Sequence, residues 1–165
     1  PGPCSVLVRQ RVGLLQPYVG YRGCDGETRL KRYGKVVTFI NLAQAEAALS
    51  VAEDLVVSLT LISVRGAAAS AGPGWFDAVV AQATSRFPAV RCEAILDCDD
   101  APGDALAALR HGVKHIRYCG AKQDAIADIA EQYGARISPA RPESLDLANV
   151  EGQDAIAACR SWLSD

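Results

Sequence analysis

From residue 36 onward, short β-branched and aromatic runs alternate with longer alanine-rich stretches, and few chain topologies accept that rhythm. Residues 36–42 (VVTFINL) have strand composition, and residues 43–55 follow with Ala45, Ala48, Leu49 and Ala52 at helical spacing. Residues 57–64 (VSLTLISV) read as a second strand, 92–98 (CEAILDC) as a third and 114–119 as a fourth, with 135–138 a weak fifth. Helices are expected over 75–87, 104–110, 122–133 and 153–163, with Phe76, Val79, Val80 and Ala83 on one face of the first. Pro88 stops that helix because it cannot donate the next hydrogen bond, and Gly112 and Gly134 close the two after it.

Strands that alternate with helices build a parallel sheet. The stretches QAEAALSVAEDLVVSLTLIS, GDALAALRHGVKHIRYC and QDAIADIAEQYGARISP each run from an alanine-rich helix through a turn into a strand, and GQDAIAACRSW repeats the helical half. The expected fold is therefore α/β, an open and mainly parallel sheet of 4–5 strands with flanking helices. It is either flavodoxin-like, with helices on both faces, or a partial (β/α) barrel that lacks the strands to close. The open sheet is preferred. A partial barrel would expose sheet edges and a concave face, so self-association as a homo-oligomer is expected of it. A complete eight-fold barrel is excluded, since it needs roughly 200 residues or more and the chain has 165.

Charge divides the chain where the rhythm begins. Residues 1–35 carry seven Lys/Arg against Asp25 and Glu27, whereas the remainder has ten Lys/Arg and seventeen Asp/Glu. The formal net charge of -2 is thus a cancellation. Residues 1–35, with Pro1, Pro3, Pro17 and six glycines, show no helical or alternating period and read as a basic, flexible lead-in to a single domain over 36–165. The chain starts at Pro1 and contains no methionine, which sets this segment further apart. Clustered cations attract phosphates, so nucleic acid is a partner only through these residues. The longest apolar run, 56–64, contains Ser58, Thr60 and Ser63 and is far short of a membrane span. A cytoplasmic protein is expected. The six cysteines form no C-x-x-C pair, so no metal site is assigned, and four of them fall in apolar periodic segments as small buried hydrophobes.

Parallel sheets bind ligands beyond the C-terminal ends of their strands. Two groups there carry chemistry. The first is Asp97-Cys98-Asp99-Asp100 after the third strand, a cluster of carboxylates that suits a hard cation such as Mg²⁺ or a general base. Asp99 and Asp100 also lie where they can cap the next helix, and Asp97 lies too early for that, so Asp97 is the catalytic candidate. The second is the small-residue loop over 65–74, with Ser63, Arg65, Gly66, Ser70, Gly72 and Gly74 as ligand-binding candidates. Exposed backbone amides, a helix start and the Arg65 charge suit a small anionic metabolite. The loop matches neither dinucleotide nor P-loop spacing, so no cofactor follows from it. Cys98 and Cys119 end neighbouring strands, with His115 on the face of Cys119, which leaves open a thiol pair or a soft metal site beside the preferred reading of buried cysteines. Neither His111 nor His115 is clearly at a strand end, so a serine-hydrolase triad is not expected.

Residues 103–152, less than a third of the chain, resemble the later part of small phosphate-binding (β/α) barrels, nearest in rhythm the keto-deoxy-phosphogluconate aldolases. Ala140-Arg141-Pro142-Glu143 stands where those aldolases carry a Pro-rich "TPxE"-like segment. The resemblance implies an α/β fold. It also implies a Schiff-base lysine at a strand's C-terminal end, and neither Lys114, at a strand start, nor Lys122, on a helix, matches that place. Two functions are carried forward: a binding or interaction module that takes a small anion at the strand ends, and a small lyase- or transferase-like enzyme with Asp97 as base and the 65–74 loop as anion site.

Overall fold

The computed structural model describes residues 34–165. The basic lead-in lies outside them, except for Gly34 and Lys35. Strand β1 (Lys35–Phe39) leads into helix α1 (Leu42–Leu55), where the Asn41 side chain caps the first turn by accepting the Gln44 N–H at 2.9 Å. Strand β2 (Leu59–Ser63) is buried at every residue. The alanines that follow do not stay a loop, since alanine is the best helix former. Residues Ala67–Ser70 form a single turn, α2, and α3 already begins at Gly72 and runs to Arg86. Gly72, at φ 81°, makes the break between them, and Pro73 sits in the first turn of α3, where its missing N–H costs nothing.

Strand β3 (Cys92–Asp97) is followed by α4 (Pro102–His111), β4 (His115–Arg117), α5 (Gln123–Gln132), β5 (Arg136–Ser138), β6 (Leu145–Asp146) and α6 (Gly152–Ser164). The sheet is parallel throughout, in the order β5-β4-β3-β2-β1-β6. An open α/β sheet forms as expected, with six strands rather than 4–5. The sixth is two residues long and has no apolar run to announce it.

From β1 to β5 each strand pairs with the one before it, so the reversal that defines a flavodoxin-like sheet is absent. Right-handed crossovers that always step the same way place the described helices on the same face. Accordingly α6 packs on α1, α1 on α3, α3 on α4 and α4 on α5, the same order as the strands beneath. Val37, Phe39, Leu59, Leu61, Leu96 and Ile116 point into this helical layer and form one core with it. Phe39 stacks on Trp75 and Phe76, with ring centroids 6.0 and 6.3 Å away.

Alternate residues face the other way. Val36, Ile62 and Ile95 make a small separate cluster there, beside the buried Thr38, Thr60, Asp97, His115, Arg117 and Ser138. The connection from β5 to β6 must cross this face from one edge of the sheet to the other. Six flat strands would hold the edges about 24 Å apart, and the seven steps from residue 138 to 145 reach about 24 Å only if taut. Residues 139 and 140 bend instead. The sheet therefore curls, and its polar face is the concave one. Beyond β6, Gln44 fastens the chain to α1: its Nε2 donates to the carbonyls of Leu147 (2.6 Å) and Val150 (3.0 Å), and its Oε1 accepts from Ile40 N–H.

Val56, which ends α1, occupies the left-handed region at φ 55° although it is β-branched and 90% exposed. That conformation costs an L-residue about 1–2 kcal/mol and costs glycine almost nothing. Val56→Gly is thus expected to raise the urea-unfolding free energy by about 1 kcal/mol, because no buried surface is lost; a fall in the midpoint would contradict this account of the helix end.

Candidate functional site

Asp97 is the last residue of β3 and is fully buried. Its Oδ1 accepts from the backbone N–H groups of Gly66 (3.3 Å) and Asp99 (3.0 Å) and from Arg117 Nη1 (3.4 Å), and its Oδ2 accepts from Arg141 Nη1. A carboxylate offers about two lone-pair positions on each oxygen; three protein donors crowd Oδ1 and one meets Oδ2. Its own N–H donates to Ser63 Oγ at 2.9 Å. Burying a bare carboxylate costs several kcal/mol, so the two guanidiniums are what make this position tenable.

Each arginine reaches Asp97 from a different element. Arg117 stands in register with Asp97 on one side and Ser138 on the other, so all three share the concave face. Arg141 belongs to the crossing connection, and its Nη2 also donates to Thr38 Oγ1 (3.1 Å) and to the Ser63 carbonyl (3.0 Å). One guanidinium thereby ties β1, β2 and β3 together at their C-terminal ends. Thr38 Oγ1 lies 2.9 Å from Ser144 Oγ, which holds the far end of the same connection.

Arg117 Nη1 also donates to Asp99 Oδ1 at 2.8 Å. Burial works against the Arg117 charge, and Asp99 and Asp97 more than offset it, keeping the guanidinium protonated. Its Nε is buried and meets no acceptor. Asp99 is held below the ordinary carboxylate range, first by the Arg117 hydrogen bond and then by the charges of Arg117 and Arg65 and a contact from Cys119. Its backbone is left-handed at φ 48°, a region aspartate tolerates better than most residues.

Among the sequence candidates, Ser63, Gly66 and Asp97 come together, and Arg65 lies near enough to act on Asp99. The rest of the 65–74 stretch turns elsewhere. Ser70 is exposed and its Oγ returns to the Gly66 carbonyl at 3.4 Å, Gly72 begins α3, and Gly74 lies against the His111 ring at the end of α4 that leads into β4. His111 is drawn there by Asp77, 3.2 Å away. Asp99 and Asp100 do not cap α4, whose N-cap is Ala101 with no side-chain bond; Asp99 is taken by Arg117 instead.

Cys98 and Cys119 point to opposite faces. Cys98 joins the helix-side core, where burial first and the Asp97 charge next push its thiol up to about 12, while Cys119 donates to Asp99. Among the described residues no three His, Cys, Asp or Glu side chains converge as metal ligands. His115 and Ser138 do meet, Nε2 to Oγ at 2.7 Å. Arg136 Nη2 also approaches His115 Nδ1, at 3.1 Å, so the ring lies between the arginine and the serine.

Arg117 is the residue that sequence reasoning misses, and Arg141 enters it only within the aldolase-like Ala140-Arg141-Pro142-Glu143 segment. The available signal was a charge in an otherwise buried strand, since Arg117 interrupts HIRY just where residue 117 must face the same side as Asp97. In the segment that resembles the aldolases, Lys114 Nζ binds the Tyr133 carbonyl (2.9 Å) on the exposed surface, and Lys122 sits at the start of α5. No protein-family model and no curated protein matches the chain. None of the described helices is long and apolar enough to cross a membrane.

Two outcomes follow from this geometry. Asp97→Ala leaves two guanidiniums without their shared counter-charge and is expected to cost about 3–5 kcal/mol in urea unfolding; a loss under 1 kcal/mol would show that the pairs contribute little. The depressed Asp99 pKa places its stabilising effect above the unfolded value of about 3.9, and the effect fades as pH falls through the lower folded value. Asp99→Asn should therefore lower stability above about pH 4 and flatten part of the loss below it, so that the two unfolding profiles converge in acid.

Proposed function

We propose that the chain is a binding module that takes a small anion at the C-terminal ends of β2, β3 and β4, with Arg117, Arg141 and Arg65 as the cationic side chains. The carrying observation is Arg117, only 6% exposed, with an Nε that meets no acceptor. A buried donor left unsatisfied costs about 1–3 kcal/mol, a cost that an oxyanion hydrogen-bonded to the guanidinium would remove. Both bonds from Arg117 to carboxylates use Nη1, so Nε and Nη2 form the two-pronged edge that suits carboxylates and phosphates. Arg141, its side chain 21% exposed, spends Nη1 on Asp97 and Nη2 on Thr38 and Ser63, leaving its own Nε unspent among the described residues. Arg65 is exposed and supplies attraction at the rim.

In this reading Asp97 is the counter-charge that orders two arginines. The enzyme alternative, with Asp97 as base, requires Arg141 to leave Oδ2 so that a substrate proton can reach it.

Thermal unfolding with inorganic phosphate and succinate tests the proposal. A ligand at a hundredfold excess over its Kd stabilises by about 2.7 kcal/mol, so Tm should rise by several degrees with at least one probe. Arg65→Ala removes an exposed side chain and should weaken binding about tenfold without lowering the Tm of the free protein. No shift with either probe, or the same shift in Arg65→Ala, would overturn the proposal.

A further inference from the structure

Resting on the anion-binding reading above, we infer that residues 139–144 form a strap that lifts to admit the anion and closes again over the strand ends, with the Arg141–Asp97 ion pair as its latch. The strap is anchored at both ends. The Ser138 carbonyl accepts the Tyr118 N–H at 3.1 Å, and the Leu147 N–H donates to the Thr38 carbonyl at 3.2 Å. Between these anchors, and among the described residues, no backbone N–H or carbonyl of residues 139–144 is hydrogen-bonded. Side chains alone fasten the segment: Arg141 to Asp97, Thr38 and the Ser63 carbonyl, and Ser144 to Thr38 at 2.9 Å. Pro139 and Pro142 have no N–H to leave unpaired. A segment held in this way opens at a free energy well below that of global unfolding.

An entrance is needed because solvent does not touch the atom that carries the binding reading. Asp97 is fully buried, and Arg117 is 6% exposed with its Nε enclosed. Arg141 and Arg117 hold the two oxygens of one carboxylate, so the strap is latched directly beside the cation that an anion has to reach.

The open state is tolerable as well as the closed one. Lifting the strap carries the Arg141 guanidinium into water and frees Asp97 Oδ2, while Arg117 and the N–H groups of Gly66 and Asp99 stay on Oδ1. The carboxylate is therefore never left without donors, and two discrete arrangements of the strap exist for a ligand to choose between. Opening lowers the apparent affinity by the fraction of time the strap is closed.

The test locks the strap. The Thr38 and Ser144 side-chain oxygens lie 2.9 Å apart, so Thr38→Cys with Ser144→Cys places two thiols in reach of a disulfide. The full chain carrying both substitutions is compared oxidised and reduced, with the single variants oxidised in parallel to account for the native cysteines and the new bond located by peptide mass mapping. Two quantities are read: affinity for inorganic phosphate, and native-state hydrogen exchange of the Gly66 and Asp99 amides, which rest on Asp97. The oxidised protein is expected to bind phosphate at least tenfold more weakly than the reduced one, to exchange both amides at least tenfold more slowly, and to recover on reduction. Arg141→Lys keeps a charge but loses the fork that reaches Thr38 and Ser63, so in that variant both amides should exchange at least fivefold faster.

Exchange that is the same in oxidised and reduced protein, or unchanged in Arg141→Lys, overturns the strap. Slower exchange with phosphate affinity unaltered by the lock shows that the anion enters elsewhere, which overturns the gate and leaves the anion site standing. If the reduced protein binds no phosphate although wild type does, exchange in Arg141→Lys alone decides. If wild type binds neither phosphate nor succinate, the anion-binding reading falls and the gate falls with it.

Discussion

The ion pair between Arg141 and Asp97 joins the part of the chain that leaves the sheet at one edge to the middle of the sheet itself. Because β6 returns beside β1, the residues between β5 and β6 have to cross the face that none of the described helices covers. A connection of that length crosses only a curled sheet. Arg141 fastens the crossing at its midpoint by bonds to β1, β2 and β3 residues, and Thr38 and Ser144 fasten it again near its end. The buried carboxylate, the buried arginine beside it and the curvature are therefore one arrangement: Asp97 needs the cations to be tolerable, and the connection needs Asp97 to hold it down.

This explains why the two faces of the sheet differ so much in chemistry. The helical face is filled by Val37, Phe39, Leu61, Leu96 and Ile116 against alanine-rich helices, a packing that depends on volume and apolar area. The concave face has a small apolar floor, Val36, Ile62 and Ile95, and above it a polar tier of Thr38, Asp97, Arg117 and Ser138. A buried polar tier is stable only when its donors and acceptors match. Among the described residues the buried Arg117 Nε lacks such a match, as do Glu46 Oε1 and Trp162 Nε1 elsewhere in the molecule.

Much of the fold was legible along the chain. Apolar period, Pro88, Gly112 and Gly134 marked the helices and their ends, because those signals act within a few residues. Two features were not. The 65–74 stretch was read as a loop because glycine and proline flank it, yet its alanines are helical and Gly72 only breaks the run into α2 and α3. Strand β6 has two residues and pairs with β1 because the crossing delivers it there, not because Leu145–Asp146 favour a strand. Within the site, Asp97 stood out as a carboxylate too early to cap a helix, and Asp99 was read as a cap because nothing nearby in sequence shows that Arg117 will lie beside it.

By itself the sequence determined an open parallel α/β sheet, the approximate extent of most elements and the strand end where charges gather, since these depend on local period, turn residues and the C-terminal rule for parallel sheets. Only the tertiary structure decided that the described helices all lie on the same face, that the sheet curls, and that Arg117 and Arg141 share the Asp97 carboxylate. The partners are 20 and 44 residues from Asp97 along the chain. Strand order and the path of one short connection bring them within hydrogen-bonding distance, and neither is encoded in the residues that flank the carboxylate.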